Sequence, residues 1–440
     1  MTWLGVALVV ACDREAPDSS VVPAAQDILT TDLALDLGAL TGRASIVVMP
    51  ATGDDAVTLE VGGLDVTAVT VDGAAVDAAI TGGVARVPVA QTETPVTVTM
   101  DYGFDTRTVR TFDGWMPGLG VSFLWPNYCS NLFPCNSSPT DGVLFTMDVT
   151  GFDPALTAIY PTTTVSDAPS YMPGIAVGDY EEVDLGATGA GTTVSAWYLR
   201  TEPNAQADAR AGTAHLVDAV DFFETTYGPY AFGLQMGTVQ VNWGGDSWGG
   251  MEHHPFFHVA KWDFGNEEAQ VHEAAHGWFG DGVRLACWED FVLSEGTTTY
   301  ITARALEQVD GPDEWPMYVD DFLVPSCTGA DVNTIVLPDD TCNVIDFEND
   351  PLWSLATYMK GACFYEEVGD RIGPDVLDEA ISDFYRTHVN RTGRMRDMID
   401  TIEAHADPAD ADAIEASVTD WLLTEQCPVD YAARCRAHQR

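Results

Sequence analysis

Short alternating runs of apolar and polar residues fill the first half of the chain. Between Ser45 and Met100, stretches such as 46–48, 57–59 and 96–98 are rich in β-branched residues, and Gly, Asp and Ala turn signals separate them. A period of two is typical of half-buried strands, and many short strands in succession favour a sandwich. We therefore predict a β-sandwich-like amino-terminal domain.

The spacing of apolar residues changes to a helical period after about residue 205. Apolar residues then recur three and four positions apart, which predicts helices at 297–309, 375–386, 395–406 and 411–423. Pro203 interrupts the last strand pattern, so we place a domain boundary there. The predicted fold class is α+β, with a β domain at 27–203 and a mainly helical domain at 204–430.

Two histidines and two glutamates in the helical half carry the clearest chemistry. His272 and His276 lie four residues apart, so on a helix both face one point and can bind one metal ion. Glu295 is the candidate third ligand, because two histidines and a glutamate form a common catalytic zinc set. Glu273 lies beside the metal and is the candidate general base for an attacking water. We predict one zinc ion per chain; the alternative is a helix whose two partly buried histidines fit this pattern by chance.

The run from His272 to Gly280, with the later Ser294-Glu295-Gly296, resembles the gluzincin metallopeptidases of the aminopeptidase N family. That family has H-E-x-x-H-x-W-F-G followed by N-E-G. The resemblance implies a thermolysin-like zinc metallopeptidase domain in which Glu295 opens a helix. Ser294 replaces the family's Asn and is expected to cap that helix, and Asp290 is expected to orient a ligand histidine.

An upstream motif extends the resemblance. Gly249-Gly250-Met251-Glu252-His253 is similar to the family's G-x-M-E-N segment. The likeness implies that Gly249, Gly250 and Met251 line the substrate site and that Glu252 binds the free α-amino group of the substrate. Such a carboxylate would place the first peptide bond at the metal.

Three histidines near this motif depart from the family pattern. His253 stands where the family has Asn, and His254 and His258 follow it. We interpret the three as part of a polar strand and loop without metal. The alternatives are a second metal site and a reshaped substrate pocket.

A downstream motif supplies a further candidate. Tyr358-Met359-Lys360-Gly361-Ala362 is similar to the family's Y-x-K-G-A helix. The likeness implies that the Tyr358 hydroxyl hydrogen-bonds the oxyanion of the tetrahedral intermediate.

The combined motifs predict a zinc-dependent aminopeptidase that removes N-terminal residues from peptides by metal-activated water attack. One alternative is an endopeptidase, or another small-substrate hydrolase, on the same zinc site. A second alternative is a non-catalytic surface lipoprotein that binds its ligand without cleaving it. Family members often continue into a large helical C-terminal domain, and we expect this chain to lack one.

The charge of the chain excludes one class of partner. There are 68 acidic residues against 19 Lys and Arg, which gives a formal net charge of −49. Phosphate backbones would be repelled, so nucleic acid is excluded as a partner. Peptides with a free amino terminus are the expected substrates.

The amino terminus predicts export. Residues 1–12 are mostly apolar, and Val9-Val10-Ala11-Cys12 resembles a bacterial lipobox in which Cys12 is acylated. The stretch is too short to span a bilayer. We expect 13–26 to be a tether, 431–440 a tail, and the protein to be lipid-anchored in the bacterial cell envelope or at its surface. The alternatives are a secreted protein and a chance match, since no basic segment precedes the apolar run.

The number of cysteines is consistent with the predicted export of the protein. Setting Cys12 aside leaves eight of nine cysteines, an even number that fits up to four disulfides in an oxidising compartment. Proximity in sequence favours the pairs Cys129–Cys135, Cys327–Cys342 and Cys427–Cys435, with Cys287–Cys363 as the remainder. A cysteine-ligated metal is the alternative.

Overall fold

The computed structural model describes residues 26–90, 94–107, 113–243, 249–328, 334–338, 342, 345–346 and 350–436. The predicted lipobox, residues 13–25 of the predicted tether and residues 437–440 of the predicted tail lie outside the described residues. Gln26, at the end of the predicted tether, already accepts a 2.8 Å hydrogen bond from the Thr58 amide.

Fifteen strands precede residue 200 in the described part of the chain. They are β1 (Asp27–Asp36), β2 (Thr41–Met49), β3 (Ala56–Glu60), β4 (Asp65–Val71), β5 (Ala74–Ala75), β6 (Ala79–Thr81), β7 (Val84–Pro88), β8 (Val96–Gly103), β9 (Asp113–Met116), β10 (Val121–Leu124), β11 (Leu144–Thr150), β12 (Thr157–Ile159), β13 (Ala176–Gly178), β14 (Tyr180–Ala187) and β15 (Thr193–Leu199).

The first thirteen strands form three sheets. The largest has the order β11-β1-β2-β8-β4-β5, and smaller sheets have the orders β3-β7-β6 and β12-β13-β10-β9. Burial alternates along β2, β8 and β11, so apolar side chains such as Ile46 and Val98 enter the core while their neighbours face outward. The predicted β-rich amino-terminal part is confirmed.

A five-stranded sheet connects this part to the helices. Its later strands are β16 (Gln235–Val241), β17 (Gly250–Met251) and β18 (Phe256–Ala260), and its order is β14-β15-β16-β18-β17. The parallel strands β16 and β18 are buried on both faces. The ranges 27–203 and 204–430 remain predictions, and this sheet takes strands from both sides of residue 203.

The rest of the described chain is mainly helical, as predicted. The helices are α1 (Ala205–Gly212), α2 (Leu216–Thr226), α3 (Glu267–Ala275), α4 (Phe291–Gln308), α5 (Trp315–Met317), α6 (Val324–Thr328), α7 (Leu355–Ile372), α8 (Pro374–His388), α9 (Met395–His405), α10 (Ala411–Ser417) and α11 (Tyr431–Arg434). Two π-helical turns, at Tyr318–Leu323 and Val418–Leu422, extend α5 and α10, and a short strand pair joins β19 (Arg284–Leu285) to β20 (Thr392–Gly393). None of the described helices combines the length and apolar character that a bilayer crossing requires.

The start of α4 differs from the expectation. The helix begins at Phe291, so Glu295 lies in its second turn and Ser294 is inside the helix. The prediction that Ser294 caps the helix is therefore wrong. Every residue from Phe291 to Ala303 is buried, and packing on all sides sustains the helix through Ser and Gly positions that are unfavourable in an exposed one.

Four disulfides occur among the described residues, and three of them differ from the expected pairs. Cys129–Cys135 is confirmed, while the other bonds are Cys287–Cys342, Cys327–Cys427 and Cys363–Cys435. The expected pairs Cys327–Cys342, Cys427–Cys435 and Cys287–Cys363 are wrong. Proximity in sequence failed here because helix packing brings together cysteines that are 55 to 100 residues apart.

Residues 424–435 are fastened to α7. The Cys363–Cys435 bond joins that helix to the segment predicted as a tail. The buried Lys360 ammonium donates to the carbonyl of Thr424 at 2.6 Å and to that of Thr334 at 2.8 Å. Because an ammonium group has three donors, Lys360 can bind several carbonyls at once, and this holds the two segments on α7.

Peptide mapping checks the disulfide pairs. We expect digestion at acidic residues without reduction to yield linked peptides containing Cys287 with Cys342, Cys327 with Cys427 and Cys363 with Cys435, identified by mass spectrometry. A reduced digest is the control and should release every partner. Linked peptides that pair Cys327 with Cys342 would contradict the arrangement.

Candidate metal centre and active site

Helix α3 carries the two histidines, and its start explains their orientation. The Asn266 side chain accepts a hydrogen bond from the Glu268 amide at 3.2 Å, which caps the helix. The acidic first turn suits the positive end of the helix dipole. Helix α3 then presents His272 and Glu273, and it ends with His276 at the capping position.

Three side chains form a triangle of metal-binding atoms. His272 Nε2 lies 3.2 Å from Glu295 Oε2 and 3.2 Å from His276 Nε2, and the third side, from His276 Nε2 to Glu295 Oε2, is 3.3 Å. A tetrahedral zinc with bonds of about 2.0–2.1 Å requires ligand atoms about 3.3 Å apart. The three sides of the triangle agree with that spacing, so these residues fit zinc.

The outer nitrogen of one ligand has a hydrogen bond of its own. His276 Nδ1 lies 3.0 Å from the carbonyl oxygen of Phe279, which can accept the Nδ1 hydrogen and leave Nε2 free for metal. The expected role of Asp290 is wrong, because Asp290 Oδ1 instead accepts from the Met395 amide at 3.0 Å. Asp290 therefore fixes the start of α9 rather than a ligand ring.

Helices α4 and α7 cross at two glycines, and this crossing positions Glu295 against Tyr358. A Cβ on Gly296 would lie 2.8 Å from the Gly361 Cα, and a Cβ on Gly361 would lie 2.6 Å from the Gly296 Cα. Both distances are too short for any side chain, so the helices approach backbone to backbone. The Tyr358 ring then stacks on the His272 ring, with centroids 6.0 Å apart.

Strand β17, at the edge of the five-stranded sheet, brings the upstream motif to the same place. Donor atoms of Glu252, Glu273 and His276 lie within 4.8 Å of one another. A Cβ on Gly250 would overlap the Glu273 carboxylate, so glycine is required for the strand to approach the predicted base.

The other two predicted lining residues lie further out. Met251 points into the core with 1% of its surface exposed. Gly249 pairs with Ala260 and has Asp263 and Trp262 as its nearest side-chain neighbours. The structure therefore brings Gly250 and Glu252 to the histidines, but not Met251 or Gly249.

Burial raises the pKa of several groups in the site. Burial and the nearby carboxylates raise the pKa of Glu273 well above its ordinary value, against the opposing effect of His276. A raised pKa suits a general base that works near neutral pH. Burial raises the pKa of Tyr358 well above 10, and the nearby carboxylates of Glu295, Glu252 and Glu273 add to this shift. Its hydroxyl therefore keeps its proton and remains a hydrogen-bond donor.

Glu295 shows the opposite shift. Burial by itself would raise the pKa of its carboxyl, but the charge of His276 and hydrogen bonds with both histidines lower it to about 2. The carboxylate is therefore ionised, as a metal ligand must be.

The three additional histidines are all buried. His254 lies between the Tyr230 hydroxyl, 2.7 Å from Nδ1, and the Glu273 carbonyl, 2.9 Å from Nε2. The rings of His253 and His258 meet edge to face, with centroids 4.9 Å apart. Burial lowers the pKa of His253 and His254 to about 3, so both are neutral near pH 7.

The motifs missed a belt of aromatic rings around the site. Neighbouring centroids are 4.2 to 6.0 Å apart along the series Tyr358, Phe291, Trp353, Trp288 and Tyr171. Burial, together with the charges of Asp281 and Glu252, raises the pKa of the Tyr171 hydroxyl well above its ordinary value. The sequence signal was the frequency of tryptophan, but no periodicity could show that these distant residues meet.

Comparison with known proteins identifies a domain over the same residues. Residues 265–421, which contain the three candidate ligands and Tyr358, match the Peptidase family M1 domain. This part of the chain is therefore similar to M1 peptidases. The metallopeptidase resemblance of the sequence is thereby confirmed.

The curated proteins that this chain matches are larger proteins. Leucine aminopeptidase 2 of Emericella nidulans is 26% identical over 305 residues, which cover 59% of the chain and 44% of that protein. Tricorn protease-interacting factor F2 of Thermoplasma volcanium is 24% identical over 217 residues, covering 46% and 27% respectively. The chain therefore spans less than half the length of these relatives.

Solved M1 structures share the fold. An M1 zinc metallopeptidase mutant of Deinococcus radiodurans, bound to a Tyr-Ser-Ala substrate, aligns with a TM-score of 0.78 and 19% identity, covering 94% of this chain and 99% of that one. Native yeast LTA4 hydrolase aligns with a TM-score of 0.73 and 18% identity, covering 92% and 68%. Both likenesses show the same fold, in which a β-rich part is followed by a mainly helical part.

The zinc content of the protein tests whether His272, His276 and Glu295 bind the metal. After reconstitution with zinc and removal of excess zinc, the protein is expected to hold one zinc ion per chain. Elemental mass spectrometry measures this content. His276→Ala should hold almost none, because two remaining ligands bind zinc poorly. His405→Ala is the matched control, since that histidine pairs with Asp383 at the surface. Full zinc content in His276→Ala would rule out the proposed ligand set.

Proposed function

We propose that the protein is a zinc-dependent aminopeptidase. The observation that carries the proposal is that Glu252, Glu273 and the metal-binding triangle occupy one buried site. A carboxylate beside the metal that is neither ligand nor base is the group that would bind a terminal ammonium. One zinc ion per chain, held by His272, His276 and Glu295, completes the proposal.

Bound zinc would supply Lewis-acid polarisation of the scissile carbonyl and make an attacking water more acidic. Glu273 accepts the proton of that water as it attacks, and then delivers it to the leaving amine. Tyr358 donates its hydroxyl hydrogen to the carbonyl oxygen as negative charge develops there. Stacking on His272 holds the tyrosine ring in place for this bond.

Glu252 would bind the α-ammonium group of the substrate and so limit cleavage to the first peptide bond. Burial raises the pKa of Glu252. The charge of His276 opposes this shift, and the nearby Glu295 adds to it. An arriving ammonium would lower that pKa again, because a nearby opposite charge favours the ionised form. The site therefore favours a cationic amino terminus.

Known relatives support the choice of reaction. Two proteins named leucine aminopeptidase 2, from Emericella nidulans and Aspergillus niger, align with this chain at 26% and 33% identity. The Deinococcus radiodurans structure holds a Tyr-Ser-Ala substrate. Peptides with a free amino terminus are the proposed substrates here.

Variants of the base and the oxyanion donor test the chemistry. Glu273→Gln should keep zinc and lower kcat by about 10²–10⁴, the usual contribution of a general base. Tyr358→Phe should lower kcat by about 10²–10³, the usual effect of losing one donor to the oxyanion. The assay is hydrolysis of aminoacyl-fluorophore amides by the zinc-loaded protein. Tyr300→Phe, at a buried tyrosine that stacks on Tyr365, is the control and should retain activity. Wild-type activity in Glu273→Gln would overturn the mechanism.

The amino-group site is tested by pairing each substrate with its N-acetylated form. Wild-type protein should cleave only the free amines. Glu252→Gln should lower kcat/KM for free amines by about 10- to 150-fold, since a hydrogen bond to a charged group contributes about 1.5–3 kcal/mol. The acetylated substrates serve as the internal control. Cleavage of both forms by the wild type would instead favour an endopeptidase, and cleavage of neither would favour a non-catalytic binding protein.

We also propose that the protein works outside the cytoplasm, anchored through an acylated Cys12. Four disulfides support an oxidising compartment. Alkylation of intact cells before the disulfide mapping described above tests the proposal. Free thiols at the eight paired cysteines would contradict export.

A further inference from the structure

One nitrogen of His272 faces away from the metal-binding triangle. Nε2 points to Glu295 and His276, whereas Nδ1 is buried and makes no hydrogen bond to any of the described residues. A buried N–H without an acceptor is unfavourable, because it has lost its water partner. His276 avoids this state through the Phe279 carbonyl.

Glu268 is positioned to be the missing acceptor. It lies four residues before His272 on α3, so both side chains occupy the same face of the helix. Glu268 Oε1 is 4.0 Å from His272 Nδ1, and the two side chains are 16% and 12% exposed. A small rotation of either group would bring this pair within hydrogen-bond distance.

Tyr318 holds the Glu268 carboxylate in this position. Its hydroxyl donates to Glu268 Oε1 at 2.8 Å. The tyrosine itself is 1% exposed and packs edge to face on Trp315, with centroids 5.7 Å apart. Because Oε1 accepts from Tyr318 on one side, its other lone pair is available toward His272.

We propose that Glu268 is a positioning residue for the metal ligand His272 and that Tyr318 supports it. When the metal binds, the Nδ1 hydrogen would be donated to Glu268, which fixes the ring orientation and makes Nε2 a stronger donor to the metal. The proposal rests on the zinc site of the proposed function, but not on its peptidase activity.

The affinity for zinc tests this role. Competition with a chelating dye would give the zinc dissociation constant of the full-length protein and its variants. Glu268→Ala should weaken zinc binding by about 10- to 100-fold, the usual effect of losing such a partner. Glu268→Gln should recover part of this loss, because the amide oxygen still accepts a hydrogen bond, and Tyr318→Phe should lose less than Glu268→Ala.

Glu267→Ala is the matched control. Glu267 belongs to the same helical turn and is similarly exposed, at 18%, but it faces His215 at 2.6 Å. Glu267→Ala removes a carboxyl group from the same helical turn as Glu268→Ala does, so unchanged zinc affinity in this variant would isolate the contact with His272. Equal losses in the two alanine variants would show a general effect of charge and overturn the proposal, as would unchanged affinity in Glu268→Ala.

Folding and activity are measured separately. Thermal unfolding of the metal-free variants shows whether Glu268→Ala still folds. If it does not, Glu268→Gln and Tyr318→Phe are used for the test. Wild-type zinc affinity in both of these variants would then overturn the proposal. The variants could show the predicted series of zinc affinities while the wild-type protein cleaves no peptide. That result would contradict the proposed aminopeptidase activity but not the positioning role of Glu268.

Discussion

The crossing of α4 and α7 is the contact on which the site depends most. Glu295 lies beside Gly296, and Tyr358 lies one turn before Gly361, so the distance between the proposed metal ligand and the proposed oxyanion donor is set where the two glycines touch. The backbones are already in contact, and neither helix can slide or tilt toward the other. Protein interiors are packed as densely as crystals, and a change of one methyl group here would displace both functional side chains.

The edge strand β17 supplies the second half of the site by the same principle. Gly250 lets the strand lie directly against Glu273, and Glu252 follows it into the space beside His276. Glycine residues thus permit two close contacts, one between helices α4 and α7 and one between strand β17 and helix α3. The side chains of the candidate site are held by backbone contacts rather than by flexible neighbours, which would suit a reaction that needs fixed distances.

The sequence predicted the local features well and the long-range ones poorly. Helical spacing was enough to bring His272 and His276 to one point. The start of α4 could not be read, because burial on every side overrides the signals at Ser294 and Gly296. Three disulfides, the role of Asp290 and the aromatic belt depend on which distant segments pack together, and no local pattern contains that information.

The attachment of residues 424–435 to α7 affects when the site can be completed. Lys360 and Cys363 hold carbonyl and sulfur atoms that lie 64 and 72 residues further along the chain, and both belong to the helix that carries Tyr358. During synthesis, α7 leaves the ribosome well before the segment that fastens it. Its disulfide then forms only under oxidising conditions. The redox state of the compartment in which the chain folds therefore decides whether the helix that carries Tyr358 is covalently fastened.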